Sequence, residues 1–472
     1  EKPGIVGGID ELGPAVTTTD NNSYSHNYGV ESYLARINYG FKSRYYIDAS
    51  WRTDGSSRFH PSDRWGHFWS VGASWRISEE QFMENTRQWL DNLTLKVSYG
   101  VQGNDNLGTY YAWQGLYDYT WPNATDAGAF VDKLENRKVT WEKNGNLNAG
   151  IEATMFGGRL GVSVEYYNRK TRDMLLNSPL PISTGFTGFN DNVGSLRNQG
   201  LEVSLRGTIL DKRDFRWDAT LMGSFNRNKV LSLTGGQDVI TSGIRVIEVG
   251  RPIYTFYLPK TAGVDPATGK QLYYAYWTQT VNDEGALVNT RCDEYITDNV
   301  AMATLSKYYH ESREPKLFGS IGSTFTILKN IDVSFLTTYS IGGWVYDGLY
   351  NGSMYVQYAG NNWHKNAKRR WQKPGDKTDV PMLEVGGSYA TTSNSLIDAS
   401  YFAIKNITVG YTLPKRWLKK IDIESLRIYA TLDNIAMFNH MDGMDPQYNF
   451  TGSVAYSYTP SRVIAFGIDL NF

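Results

Sequence analysis

The sequence predicts an all-β chain folded as a transmembrane antiparallel β-barrel, and three observations carry that prediction. Apolar residues recur with period two, the connections alternate between tight turns and long polar loops, and the last segment is amphipathic and stops on an aromatic. Side chains on a strand point to opposite faces in turn, so period two gives one apolar face and one wet face. No window approaches the ~18 apolar residues of a membrane helix. The mean hydropathy of −0.44 is no objection to a membrane, because a barrel alternates apolar and polar residues along every strand. The 14 Trp, 33 Tyr and 46 Gly suit the aromatic girdles and turns of such a barrel. No linker or low-complexity run divides the chain into domains.

Taken in chain order, about fifteen segments read as strands. They lie near 32–41, 45–52, 65–78, 93–102, 146–156, 160–176, 200–210, 215–228, 252–260, 270–276, 315–327, 331–343, 402–413, 426–438 and 461–472. In the third, Trp69, Val71, Ala73, Trp75 and Ile77 alternate with Ser70, Gly72, Ser74, Arg76 and Ser78. In the fourth, Leu93, Leu95, Val97, Tyr99 and Val101 alternate with Thr94, Lys96, Ser98, Gly100 and Gln102. Spans of roughly 8–14 residues exceed the roughly 5–6 usual in globular sheets and suit strands tilted across a bilayer. Val71, Ala73, Leu95, Val97, Leu221 and Ile468 are expected to touch lipid, and Ser74, Lys96, Thr220 and Asp469 to face the lumen. Arg36, Arg52, Arg76, Lys96, Glu165 and Arg206 all fall on the polar side of a strand and are candidate lumen groups. Their plainer role is a solvated charge ladder.

The connections 42–44, 157–159, 211–214 and 329–330 are tight, whereas 103–144, 277–314 and 344–400 are long and polar. If the last strand runs toward the periplasm, all the tight turns fall inside and all the long loops outside, as in outer-membrane barrels. In that strand Ile464, Phe466, Ile468, Leu470 and Phe472 alternate with Ala465, Gly467, Asp469 and Asn471. A terminal strand of this kind resembles the signal by which the outer-membrane insertase recognises barrels, with Phe466, Ile468, Leu470 and Phe472 expected to form it.

Catalytic and metal chemistry find no support. The net charge is −1, so nothing asks for nucleic acid as partner. A lone cysteine, Cys292, excludes a disulfide framework and a Cys-based zinc site. The histidines show no metal spacing, and there is no Walker A loop and no G-x-S-x-G elbow. His60 and His67 share a loop with Asp63, but loop histidines are usually just solvated. Asp433, Asp442 and Asp445 lack the spacing of a calcium loop. The run Lys368, Arg369 and Arg370 reads as a solvated or partner-facing patch. Trp363 and Trp371 are candidates for stacking on sugar rings, although girdle and loop-packing roles are commoner. The expectation is a chain that is no enzyme and holds no cofactor or metal. It opens at Glu1 with neither the basic nor the apolar region of a signal peptide, so either the mature form begins here or this is a piece of something longer.

A series of motifs then resembles one family. Asp54-Gly55-Ser56-Ser57-Arg58-Phe59, with Arg64-Trp65-Gly66 and the run from Ser70 to Glu80, is the first. Leu95 to Gly100 with Gly103 and Asn104 follows, then Asn192 to Ser195 with Asn198-Gln199-Gly200-Leu201-Glu202-Val203, and then Gly263-Val264-Asp265-Pro266-Ala267-Thr268-Gly269. Arg370-Trp371, Tyr401 with Lys405 to Tyr411 and Pro414, and Leu426-Arg427 with Asn434 complete the order. Any one of these is weak. Eight in order, from about Ser32 to Phe472, resemble the SusC/RagA family of TonB-dependent outer-membrane transporters.

That resemblance implies a barrel of about 22 strands with a plugged lumen. Residues 32–472 would form its C-terminal part and 1–31 an extracellular loop or fragment start; about seven strands, the plug and the TonB box would lie outside this chain. It also implies a SusD-like surface lipoprotein as partner, outer-membrane lipid around the barrel, and oligosaccharides or peptides as cargo, with energy supplied by the TonB complex through the plug. The alternatives are a passive porin of the same architecture, or a soluble β-rich glycan-binding module.

Overall fold

The computed structural model describes residues 25–119, 128–233, 238–354, 362–384, 389–418, 423–441, 444–447, 451–454 and 458–472. A 13-stranded antiparallel sheet dominates it, with strands laid side by side in chain order. The strands are β1 (Val30–Phe41), β2 (Tyr45–Ser56), β3 (Trp65–Arg76), β4 (Leu90–Asn104), β5 (Glu142–Met155), β6 (Leu160–Arg172) and β7 (Ser195–Lys212). They continue with β8 (Phe215–Ser232), β9 (Leu317–Ile327), β10 (Ile331–Ile341), β11 (Tyr401–Thr412), β12 (Ser425–Asn439) and β13 (Val463–Asn471).

Two of the expected strands do not enter this sheet. The segments near 252–260 and 270–276 become Thr255–Pro259, paired with Lys307–Ser312, and Gln271–Val281, paired with Thr261–Val264 and Leu287–Thr297. All of these lie inside the β8–β9 connection. Both segments are strands, but a strand-like sequence does not report the sheet it joins. Because the two leave together, strand direction elsewhere is unaffected. β3 also stops earlier than expected, at Arg76, where two 3₁₀ turns, Ile77–Glu79 and Gln81–Thr86, lead to β4. β6 stops at Arg172, before Asp173 at φ +54°.

Sequential antiparallel pairing puts alternate connections at opposite ends. One end carries the short turns 42–44, 156–159, 213–214 and 328–330, and the other the connections 105–141, 173–194, 233–316 and 342–400. Lys42 and Ser43, and again Leu328 and Lys329, have φ between +52° and +64°. Consecutive left-handed residues match the right-handed twist of the flanking strands. Here non-glycine residues adopt them, which explains why the usual Asn-Gly signal is missing at these two turns.

Strand register builds a continuous apolar face. One cross-strand row runs Tyr45, Trp75, Leu95, Ile151, Val164, Val203, Gly223, Gly319, Tyr339, Phe402 and Phe438. The glycines admit the Tyr339 ring, whose hydroxyl donates to the Met222 carbonyl at 2.9 Å; a Cβ on Gly319 would meet that hydroxyl at 2.7 Å. The sheet buries little of this face against protein: Ile37, Val97, Leu221 and Ile468 are all exposed. The buried apolar clusters lie instead at the loop end, where Phe59, Val139 and Trp141 of the connections close over Phe68 on the polar side of β3, and within the long connections, as with Phe256, Leu258, Tyr346 and Leu396. A wide apolar face left uncovered while the loops own the cores is the reverse of a water-soluble sheet, and it suits a hydrocarbon solvent. Among the described residues, β1 and β13 each pair on one side only.

Candidate functional site

The opposite face of the same sheet is polar, since each strand must turn its alternate side chains there. Register places all six candidate lumen groups on it. Arg36 lies opposite Ser50, Arg52 ion-pairs with Asp54 at 2.5 Å, and Arg76 pairs with Glu79 at 3.2 Å near the short-turn end. Lys96 faces Ser74 and pairs with Glu152 at 2.5 Å, Glu165 lies opposite Gly150 and Glu202, and Arg206 opposite Thr220. Ser74, Lys96, Thr220 and Asp469 share this face, whereas Val71, Ala73, Leu95, Val97, Leu221 and Ile468 lie on the other. Clefts of about 290 and 410 Å³ open between polar-face side chains, around Lys96, Glu152 and Glu165 and around Arg206, Arg216 and Asp218. Toward the short-turn end Arg427 holds Asp332 through two nitrogens, at 2.7 and 3.0 Å, and Asp469 at 3.1 Å.

At the long-loop end the polar face runs into a cavity of about 500 Å³, walled by Tyr167, Phe318, Ser340, Tyr401 and Ile253. Glu314, in the short approach to β9, lines it. Its Oε1 accepts from the Asn226 side-chain amide and its Oε2 from the Asn228 backbone N–H, both at 3.0 Å. The rest of the network is committed. The Tyr167 hydroxyl donates to Asn226 at 2.7 Å, Asn228 donates to Asn198 at 2.8 Å, and the Ile253 N–H donates to Asn228 at 2.8 Å. Burial pushes the Glu314 carboxyl above the usual carboxylate range, and the two donors hold it back only in part. Sequence reading missed Glu314. An acid just before a strand looks solvated, and only the folded connections bury it.

The motif residues prove to be ties between connections. Asp105 accepts from Ser56 at 2.7 Å, Tyr28 at 2.9 Å and Arg58 at 3.3 Å, while the Arg58 guanidinium lies 4.6 Å from the Tyr28 ring centre. Phe59 is fully buried against Trp141, whose indole N–H donates to the Arg64 carbonyl at 2.8 Å. Asp265 caps its own turn by accepting from Ala267 N–H at 2.9 Å and Thr268 at 2.6 Å. Trp371 docks on that turn, donating to the Pro266 carbonyl at 2.9 Å with its ring against Gly269. The two candidate stacking aromatics thus differ: Trp371 serves loop packing, while Trp363 is exposed beside the Arg370 guanidinium, 5.9 Å from its ring centre.

The loop polar groups do not assemble. His60 contacts Ser62 and Trp113, His67 stacks on Trp51 on the apolar face, and Asp433 accepts from Asn406. Asp442 lies outside the described residues. Among the described residues no group of three His, Cys, Asp or Glu could hold a metal ion. Phe466, Ile468, Leu470 and Phe472 are exposed, Phe466 at 82% and Phe472 at 86%.

A sheet with an uncovered apolar belt, a polar reverse face and connections sorted by end defines a membrane β-barrel protein. The model of the TonB dependent receptor-like β-barrel family matches residues 4–435, and the chain belongs to that family, whose members reside in the bacterial outer membrane. A TonB-dependent receptor of Formosa agariphila is 28% identical over 97% of this chain and 47% of its own length. The TonB-dependent receptor SusC of Bacteroides thetaiotaomicron is 28% identical over 96% of this chain and 45% of its own. Among solved structures, that of the RagAB peptide transporter superposes with a TM-score of 0.81 at 29% identity, covering 97% of this chain and 49% of that one. The chain therefore spans about half the length of the relatives it matches.

Proposed function

We propose that this sheet is the C-terminal part, residues 32–472, of a SusC-like barrel that imports oligosaccharides or peptides across the outer membrane. Import is driven by TonB through a plug, and a SusD-like surface lipoprotein delivers cargo at the long-loop end. The observation that carries this reading is the continuous apolar belt backing a polar, cleft-bearing face, with loops gathered at one end. Further strands pair with β1 and β13 to close the barrel, because unpaired backbone groups each cost several kcal/mol in hydrocarbon. Residues 1–31, an extracellular loop in this reading, already run into the sheet at Val30; 1–24 of them lie outside the described residues. Arg36, Arg52, Arg76, Lys96, Glu165 and Arg206 line the path and keep it hydrated. Trp363 is the better placed of the two tryptophans to stack on a sugar. Phe466, Ile468, Leu470 and Phe472 present the assembly signal. Catalysis has no part in this reading. The test is uptake of labelled oligosaccharides and peptides by cells carrying the complete protein, with and without TonB. Accumulation that needs both the protein and TonB is the expected result; accumulation unaffected by loss of TonB would indicate a passive pore.

A further inference from the structure

The 500 Å³ cavity at the long-loop end is mainly apolar and aromatic in its walls, yet a carboxylate lines it. The amide groups nearest that carboxylate are spent: Asn226 and Asn228 donate to it, and their own oxygens are taken by Tyr167 and by the Ile253 N–H. What Glu314 retains is acceptor capacity, one further lone pair on each oxygen, and, once ionised, a charge that a cationic group beside it would stabilise against burial. No ion pair of Glu314 occurs among the described residues. Arg313 lines the same cavity, but its guanidinium donates to the Pro446 carbonyl at 2.7 Å and its methylenes pack on Gly452. A ligand entering here meets apolar walls and a charged acceptor short of donors. Sugar hydroxyls gain little from such a wall, whereas an ammonium group at the end of an apolar chain fits both features.

We propose that Glu314 reads a protonated amine of the cargo, so that a molecule with a free ammonium group, such as a peptide N-terminus, is preferred over a neutral oligosaccharide. This rests on the import reading and selects within it. The test uses the complete protein in outer-membrane vesicles and three probes: tetra-alanine, N-acetyl-tetra-alanine and maltotetraose. Free tetra-alanine should bind roughly tenfold more tightly than the acetylated form. Glu314→Gln keeps the acceptor for Asn226 and removes the charge. It should erase that difference by weakening the free peptide alone, and Glu314→Asp should restore part of it. A wild-type ratio near one, equal weakening of both peptides by Glu314→Gln, or maltotetraose binding as tight as tetra-alanine and indifferent to Glu314→Gln would overturn the assignment. Should Glu314→Gln fail to reach the membrane, the wild-type ratio decides alone. Failure of the import reading looks different: accumulation would persist without TonB while the amine preference remained.

Discussion

At the scale of single residues, the two faces of the sheet make opposite demands on the same substitution. Val97 and Ser98 are neighbours in β4, one on the apolar and one on the polar face. Val97→Arg places a charge in hydrocarbon and should lower stability by about 2–4 kcal/mol, with Ser98→Arg costing much less. Urea unfolding of the complete barrel in lipid vesicles measures both, and reversed sensitivities would invert the assignment of faces. Gly269 makes a different demand. Its φ is +75°, and a Cβ there would lie 2.4 Å from the Trp371 ring. Gly269→Val combines backbone strain, on the order of 1–3 kcal/mol, with loss of the docked tryptophan. Surface protease should then cut within 365–380 in the variant and spare the parent. His310 supplies a pH dependence. Burial holds its imidazole below the ordinary 6.5, against the Leu258 carbonyl that accepts from Nε2 at 3.2 Å. The neutral ring is therefore favoured in the fold, so stability is intact above about 6.5 and is lost as the pH falls from there toward the depressed folded value. Protease sensitivity of 307–312 on intact cells should rise between pH 7 and 5, and His310→Gln, which keeps a donor and cannot titrate, should abolish the rise.

At the scale of elements, connection length predicts which side of the membrane each turn occupies. In a Cys292→Ser background, cysteines at Asp132, Asp283 and Asp376 lie in long connections, and those at Arg213 and Arg416 in the 213–214 turn and the 413–424 connection at the other end. An impermeant maleimide on intact cells should label only the first three; equal labelling of both sets would sink the orientation. The strands themselves were legible wherever apolar and polar residues alternated over ten or more positions, as in β3, β4 and β8. Thr255–Pro259 and Gln271–Val281, rich in aromatic residues, are strands as well. No local pattern could tell that they pair with loop strands, because partner choice depends on what the chain brings alongside. The DGSSRF motif was legible as a resemblance, but its task, holding Asp105 through Ser56 and Arg58 alongside Tyr28, appears only when distant segments meet.

At the scale of the whole molecule, β1 is the most telling strand: every one of its residues is exposed. In hydrocarbon its free edge, like that of β13, needs a partner. Produced alone, residues 1–472 should therefore misassemble or be degraded and support no TonB-dependent uptake. Heat-modifiable gel mobility together with uptake from these residues by themselves would refute this and leave a smaller, self-sufficient pore. What the sequence determined on its own is what depends on local repetition. Period two sets strand and face, turn length sets direction, and the order of motifs sets kinship, and each can be read without knowing what lies across the fold. Tertiary structure decided what depends on distant neighbours. It assigned thirteen strands rather than fifteen to the sheet, committed Trp371 to a turn a hundred residues away, and buried Glu314 beside Asn226 and Asn228. Burial and pairing are properties of two surfaces brought together, and a linear pattern records only one of them.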